Sequence, residues 1–184
     1  MIINPSSPAN PLAFQSAMVF VDGSNFIHRL QDHKLIWQPG AFEKFAEFVT
    51  SPRMNLRTYF YTNPNKLEDF KKQCGESALL GCRVVLGDGI PLENGKIKEK
   101  GVDALLVADL IYHAASKNVN HVVVITHDTD FMYALKRVED FGVTTRLVAL
   151  LVEPSDRLRG SADRVISINK KTLLDNGWAK ENAK

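Results

Sequence analysis

The sequence has few cysteines, no long apolar run and almost no net charge. Only Cys74 and Cys82 are present. Their spacing fits neither a zinc site nor a redox pair, so they read as reduced core thiols in a cytoplasmic protein. No stretch approaches the ~18 apolar residues of a membrane-spanning helix, and no membrane partner is expected. A formal charge of +2 neither demands a polyanionic partner nor argues against one. There is no internal repeat, and no linker rich in Gly, Ser or Pro divides the chain. The first 16 residues, MIINPSSPANPLAFQS, hold three prolines and no basic residue. They lack the charged start of a secretory signal and are expected to form a leader. Residues 17–178 are expected to make one domain and 179–184 a tail. With 184 residues, 45% of them hydrophobic, the chain can bury one full core.

What is there is an alternation. Strands are predicted at AMVFVD (17–22), LRTYFYT (56–62), CRVVLG (82–87), HVVVIT (121–126), TTRLVALLV (144–152) and RVISI (164–168). Helical patterns lie between them, at 25–33, 41–49, 63–81 with a weak point at Gly75, 102–115 and 130–142. The polar, glycine-bearing stretch 88–101 is expected to be an exposed loop. Strands alternating with helices imply right-handed crossovers and a mainly parallel sheet with helices on both faces, a three-layer α/β fold. Ligands of such sheets bind outside the carboxyl ends of the strands, where strand order reverses.

Four carboxylates stand out against that frame: Asp22 in FVDGSN, Asp103 in KGVDAL, and Asp128 with Asp130 in THDTDF. Each has a plain explanation taken alone. Asp-Gly after a strand is a common turn, an acid in a first helical turn complements the macrodipole, and one acid after HVVVIT suffices to cap the next helix. The second acid of the pair needs another reason. If the first and fourth strands are neighbours, Asp22, Asp128 and Asp130 converge on one cleft. Unit charges ~4 Å apart repel by ~4 kcal/mol at an effective dielectric near 20, so such a cluster calls for a cation. Oxygen-only ligands suit Mg²⁺ or Mn²⁺, and these ions serve phosphate ester chemistry.

The blocks VFVDGSNFIHRL, KGVDALLVADLIYHA, THDTDF and SADRVISI, in this order, resemble the NYN domain family of LabA-like proteins within the PIN-like nuclease superfamily. The resemblance implies a PIN-like, Rossmann-like fold and Mg²⁺- or Mn²⁺-dependent endoribonuclease hydrolysis of single-stranded or structured RNA. It also implies ligand and catalytic roles for Asp22, Asp103, Asp128 and Asp130. Ser24 and Asn25 fall on the family's DG-S/T-N stretch and are implied to contact substrate. Asp109 matches a frequent acid of the KGVD helix, although a six-residue step turns it about 240° from Asp103. Asp163 is expected to shape the edge of the site by hydrogen bonding. His127 stands where the family has glycine, and is expected either to contact substrate or to point outward.

Around the acids, Lys96, Lys98, Lys100, Arg157, Arg159 and Arg164 could track a phosphate backbone, with Lys100 and Arg29 as the candidate contacts. A solvated basic loop explains most of them equally well. His28 and His113 lie on mixed helix faces. Phe26, Phe131 and Tyr133 could stack on bases, but Phe131 stands at core spacing with Leu135 and Val138, and a core role is the expectation. Other classes fit less well: a toprim site needs a glutamate where Asp22 stands, a haloacid-dehalogenase site needs D-x-D-x-T/V at the first strand, and a metal-dependent adhesion site needs serine where Phe26 stands. A binding module that keeps the fold without the chemistry remains the alternative. Dimerisation or a specificity-giving protein partner is compatible with the sequence and fixed by nothing in it.

Overall fold

Runs such as Met18–Val21 and Val122–Ile125 leave no polar face, which suits strands covered on both sides. The computed structural model describes residues 15–91 and 97–182. Its first half contains β1 (Ser16–Asp22), α1 (Gly23–Asp32), β2 (Leu35–Trp37), α2 (Ala41–Thr50), β3 (Met54–Thr62), α3 (Pro64–Cys74), β4 (Cys82–Leu86) and β5 (Asp88–Pro91). The second half contains β6 (Ile97–Lys100), α4 (Val102–Ala115), β7 (His121–Ile125), α5 (Met132–Glu139) and β8 (Thr144–Leu150). It ends with α6 (Asp156–Arg159), β9 (Arg164–Ile168), α7 (Lys170–Asp175) and β10 (Ala179–Glu181).

Six strands form one sheet in the order β4-β3-β1-β7-β8-β9, and every pairing in it is parallel. From β1 the chain builds outward through β3 and β4. It then returns to the other side of β1 and builds outward again through β7, β8 and β9. The reversal falls between β1 and β7, where Val21 lies beside Ile125.

Strand alternation divides the core in two. Val19, Val21, Phe60, Val123 and Val148 face α1, α2 and α3 and pack with Phe26, Trp37, Phe42, Phe45 and Phe70. Met18, Phe20, Tyr59, Tyr61 and Val124 face α4 and α5 and pack with Leu106, Leu110, Phe131 and Leu135. Cys74 and Cys82 are free thiols, buried and half-buried. No helix among the described residues is long and apolar enough to cross a membrane.

Three expectations need correction. The stretch expected to be an exposed loop contributes β5 and β6, an antiparallel pair; residues 92–96, with Lys96, lie outside the described residues. A two-stranded ribbon of four-residue strands carries too little apolar pattern to announce itself. The expected tail contains β10, which pairs with β2, and both were missed because three residues cannot establish a period of two. The leader expected to run to residue 16 ends earlier, since Ser16 already belongs to β1; residues 1–14 are outside the described set.

The turn from β1 into α1 has no room for a side chain at its second position. A Cβ on Gly23 would lie 2.4 Å from Phe60 Cε1 and 2.5 Å from the Tyr61 carbonyl oxygen. Gly23→Ala is expected to destabilise the protein by about 1–3 kcal/mol, read from urea unfolding. A change below a few tenths would mean that the turn relaxes freely.

Candidate active site

Asp22 closes β1 and caps α1: its Oδ1 accepts the Asn25 amide at 3.0 Å, as an N-cap should. Its Oδ2 accepts the Thr126 hydroxyl at 2.8 Å, and Thr126 follows directly on β7. The carboxylate therefore bridges the two strands between which the sheet order reverses. It is 5% exposed. Burial pushes its pKa up from 3.8 to about 6, and the charges of Asp103 and Asp128 add to the rise, against the two hydrogen bonds that lower it.

Asp128 caps the 3-10 turn Thr129–Phe131, its Oδ1 accepting the Asp130 amide at 2.9 Å. Asp103 lies in the first turn of α4, set by Gly101 in the left-handed region at φ 83°. Asp22, Asp103 and Asp128 line one cleft of about 330 Å³ with Ser24, Asn25, His28, Lys66, Gly101 and Val102. An adjoining groove of Leu86, Gly87, Asp88, Ala104 and Leu105 shares Gly101 with it and includes Lys100.

Asp130, expected as the fourth ligand, does not line the cleft. The 3-10 turn buries Phe131 and leaves Asp130 exposed, with its amide rather than its carboxylate turned to Asp128. Asp163 does not shape the site either. It precedes β9, and its Oδ2 accepts the Thr145 amide at 2.8 Å at the start of β8, on the opposite edge of the sheet. Arg164 stands beside it on that edge, and Arg159 pairs with Glu153 at 2.6 Å. Arg29 pairs with Asp32 at 3.7 Å and is not among the cleft-lining residues. Asp109 accepts the Tyr61 hydroxyl at 2.9 Å, turned toward β3 as its step from Asp103 requires.

His127 is neither outward nor in the cleft lining. Its Nε2 lies 2.8 Å from the Val152 carbonyl oxygen and its Nδ1 lies 3.2 Å from Asn25 Oδ1. Burial lowers its pKa, which favours the neutral ring. A carbonyl only accepts, so the proton belongs on Nε2, and Nδ1 then calls for a donor. Exchanging the Asn25 amide oxygen and nitrogen supplies one and turns the oxygen away from His127. Sequence reasoning missed Lys66, in the first turn of α3, and gave His28 little weight. The end of β3 brings Lys66 to the cleft, and only the strand order reveals that.

Among the described residues, no group of three or more His, Cys, Asp or Glu side chains is gathered closely enough to hold a metal ion as it stands. The acids ring the cleft without closing on one point. Their chemistry nevertheless suits a hard divalent cation, with oxygen donors only and one carboxylate already penalised by its neighbours. Asp103 is exposed and Asp128 half-exposed, so both lie at the accessible side of the anchored Asp22.

The family model described as NYN domain matches residues 16–169. The Sinorhizobium fredii protein y4oD is 31% identical over 83 residues, 44% of this chain and 39% of its own length. The chain thus matches well under half of that relative. A crystal structure of a protein of unknown function from Vibrio parahaemolyticus, VPA0982, superposes with a TM-score of 0.65 at 17% identity. The superposition covers 85% of this chain and 94% of that one, a likeness of fold.

The raised pKa of Asp22 has a consequence for stability. Protonation favours the folded state, so this contribution is fully present below the unfolded value of 3.8 and is lost as pH rises through about 6. That rise corresponds to roughly 3 kcal/mol at most. In chelator, Asp22→Asn is expected to be more stable than the parent by about 1–3 kcal/mol at pH 8, with the gap closing toward pH 4. Urea unfolding across that range checks this. A variant that is less stable at both ends would make Asp22 a structural cap and nothing more.

Proposed function

The chain belongs to the NYN domain family, whose fold is nuclease-like and RNA-related, and from that premise we propose that it is a metal-dependent ribonuclease. The observation that carries the reading is the arrival of Asp22, Asp103 and Asp128, from three separate segments, in one cleft at the switch point of the sheet. Asp22, Asp103 and Asp128 would hold a Mg²⁺ or Mn²⁺ ion, which when bound supplies Lewis acidity and neutralises phosphodiester charge.

The chain's own groups divide the remaining work. Asn25 and Thr126 fix both oxygens of Asp22, so that carboxylate is the immobile member of the set. Asp128 is oriented by the Asp130 amide, which gives Asp130 a positioning role. Asp103 sits at the exposed mouth, where incoming substrate meets it first. Ser24, Asn25, His28 and Lys66 offer hydrogen-bond donors to the non-bridging phosphate oxygens. Lys100 and the apolar side chains of Leu86 and Leu105 meet the nucleotide beside the scissile bond. The reaction is hydrolysis: a water oxygen bonds to phosphorus as the P–O3′ bond breaks, leaving 5′-phosphate and 3′-hydroxyl ends. No side chain serves as nucleophile.

Cleavage of an end-labelled mixed RNA pool with Mn²⁺, Mg²⁺ or EDTA tests the proposal. Cleavage is expected with metal only, and Asp103→Asn and Asp128→Asn should each reduce it by on the order of 100-fold or more. Asp109→Asn should lose much less, because Asp109 is engaged with Tyr61. Equal losses at Asp103 and Asp109 would contradict the assignment. RNA retained without cleavage under every condition would replace the enzyme by a binding module.

A further inference from the structure

The edge of the sheet farthest from the acid cleft gathers three arginines. Arg146, in β8, is 4% exposed, and its guanidinium donates to the carbonyl oxygens of Val49 and Ser51 at the end of α2. Those carbonyls, at the negative end of a helix, account for one arginine. They do not account for the other two. Arg164 is the register partner of Arg146 on β9, and paired residues of parallel strands lie ~5 Å apart and point to one side. Arg53 follows Ser51 by two residues. Burial, and then the charge of Arg164, lower the Arg53 pKa; burial, then Arg53 and Arg164, lower that of Arg146. No carboxylate among the described residues forms an ion pair with any of the three.

Carboxylates also face this edge, Asp163 and Glu139 at Thr145 and Glu43 and Glu47 in the pocket that Arg53 lines, but none is within ion-pair distance of the three arginines. His121 is buried, its Nδ1 bonded to Thr144 Oγ1 at 2.7 Å. Burial and the Arg53 and Arg146 charges push its pKa down to about 3, so it is neutral. Asp163 Oδ2 accepts the Thr145 amide at 2.8 Å, and the single Thr145 hydroxyl proton is shared between Glu139 at 2.9 Å and Asp163 at 3.3 Å. Among the buried nitrogens without a hydrogen-bond partner, Arg146 Nε lies in this cluster as an unpaired donor. Arg53 is half-buried and Arg164 exposed, so the cluster is reachable from solvent.

We propose that Arg53, Arg146 and Arg164 form a binding site for a phosphate-type oxyanion, separate from the acid cleft and at the opposite edge of the sheet. Guanidinium groups match the oxygens of such an anion in charge and geometry. An anion between Arg53 and Arg164 relieves their repulsion and reaches toward the buried Arg146. The proposal stands apart from the nuclease reading, because it uses none of the cleft residues.

Calorimetric titration of the full chain with inorganic phosphate, in EDTA and against chloride at matched ionic strength, tests it. Saturable binding is expected. Arg53→Gln and Arg164→Gln should each weaken it by roughly tenfold. Arg146 is left intact in both variants because it ties β8 to α2. A second readout is thermal unfolding: Arg164→Gln should match or exceed the parent in chloride and gain less than the parent from phosphate. Absence of saturable binding by the parent, or parental affinity in either variant, overturns the site. A labelled single-stranded RNA separates the two sources of the anion. Weaker RNA binding in both variants, with phosphate competing, assigns the RNA backbone. RNA binding indifferent to both arginines, with phosphate binding still lost, assigns a free phosphate compound.

Discussion

The hydrogen bond from the Thr126 hydroxyl to Asp22 is the interaction on which the rest of the site depends. It joins the end of β1 to the residue after β7, across the point where the sheet changes direction. With the Asn25 amide on the other oxygen, it holds a carboxylate in a place that burial and two neighbouring acids make unfavourable. The fold tolerates that charge because each acid also has a local task. Asp22 caps α1, Asp128 caps the turn before α5, and Asp103 sits in the first turn of α4. Helix amino termini stabilise negative charge, so the scaffold gathers like charges at the positions where their repulsion is least.

The ordinary and the functional accounts of these residues are therefore both true. The caps explain why each acid is accepted where it stands, while their arrival in one cleft is a property of the topology. Anchored and accessible members differ in burial: Asp22 is rigid and nearly enclosed, whereas Asp103 and Asp128 are open to solvent. A site of this kind resists change at its base and adjusts at its rim. His127 adds a further constraint by tying Asn25 to the backbone after β8, in a position where glycine could make no such link.

Much of this was legible in the sequence. Unbroken apolar strands announced the parallel sheet, and acids at the ends of AMVFVD and HVVVIT pointed to one edge of it. The misjudgements have physical causes. Asp128 and Asp130 read alike in sequence, but Asp128 lines the cleft, while Asp130 is exposed in the tight turn that buries Phe131. Asp163 was readable as distant: an acid before a parallel strand lies at the amino edge, and only acids after strands reach the cleft. Lys66 was not readable, because its approach depends on β3 lying next to β1. The arginine cluster was hidden for the same reason, since register pairs Arg146 with Arg164 and the hydrogen bonds of Arg146 to Val49 and Ser51 bring the segment of Arg53 to them.

The central claim is that three acids from separate segments make one divalent-cation site. Paramagnetic broadening of backbone amide signals by substoichiometric Mn²⁺ tests it most directly, without recourse to activity. Selective broadening at Ser24, Asn25, Gly101 and Asp128, lost in Asp22→Asn, is the expected result. Broadening elsewhere on the molecule, or a pattern that Asp22→Asn leaves unchanged, would contradict it.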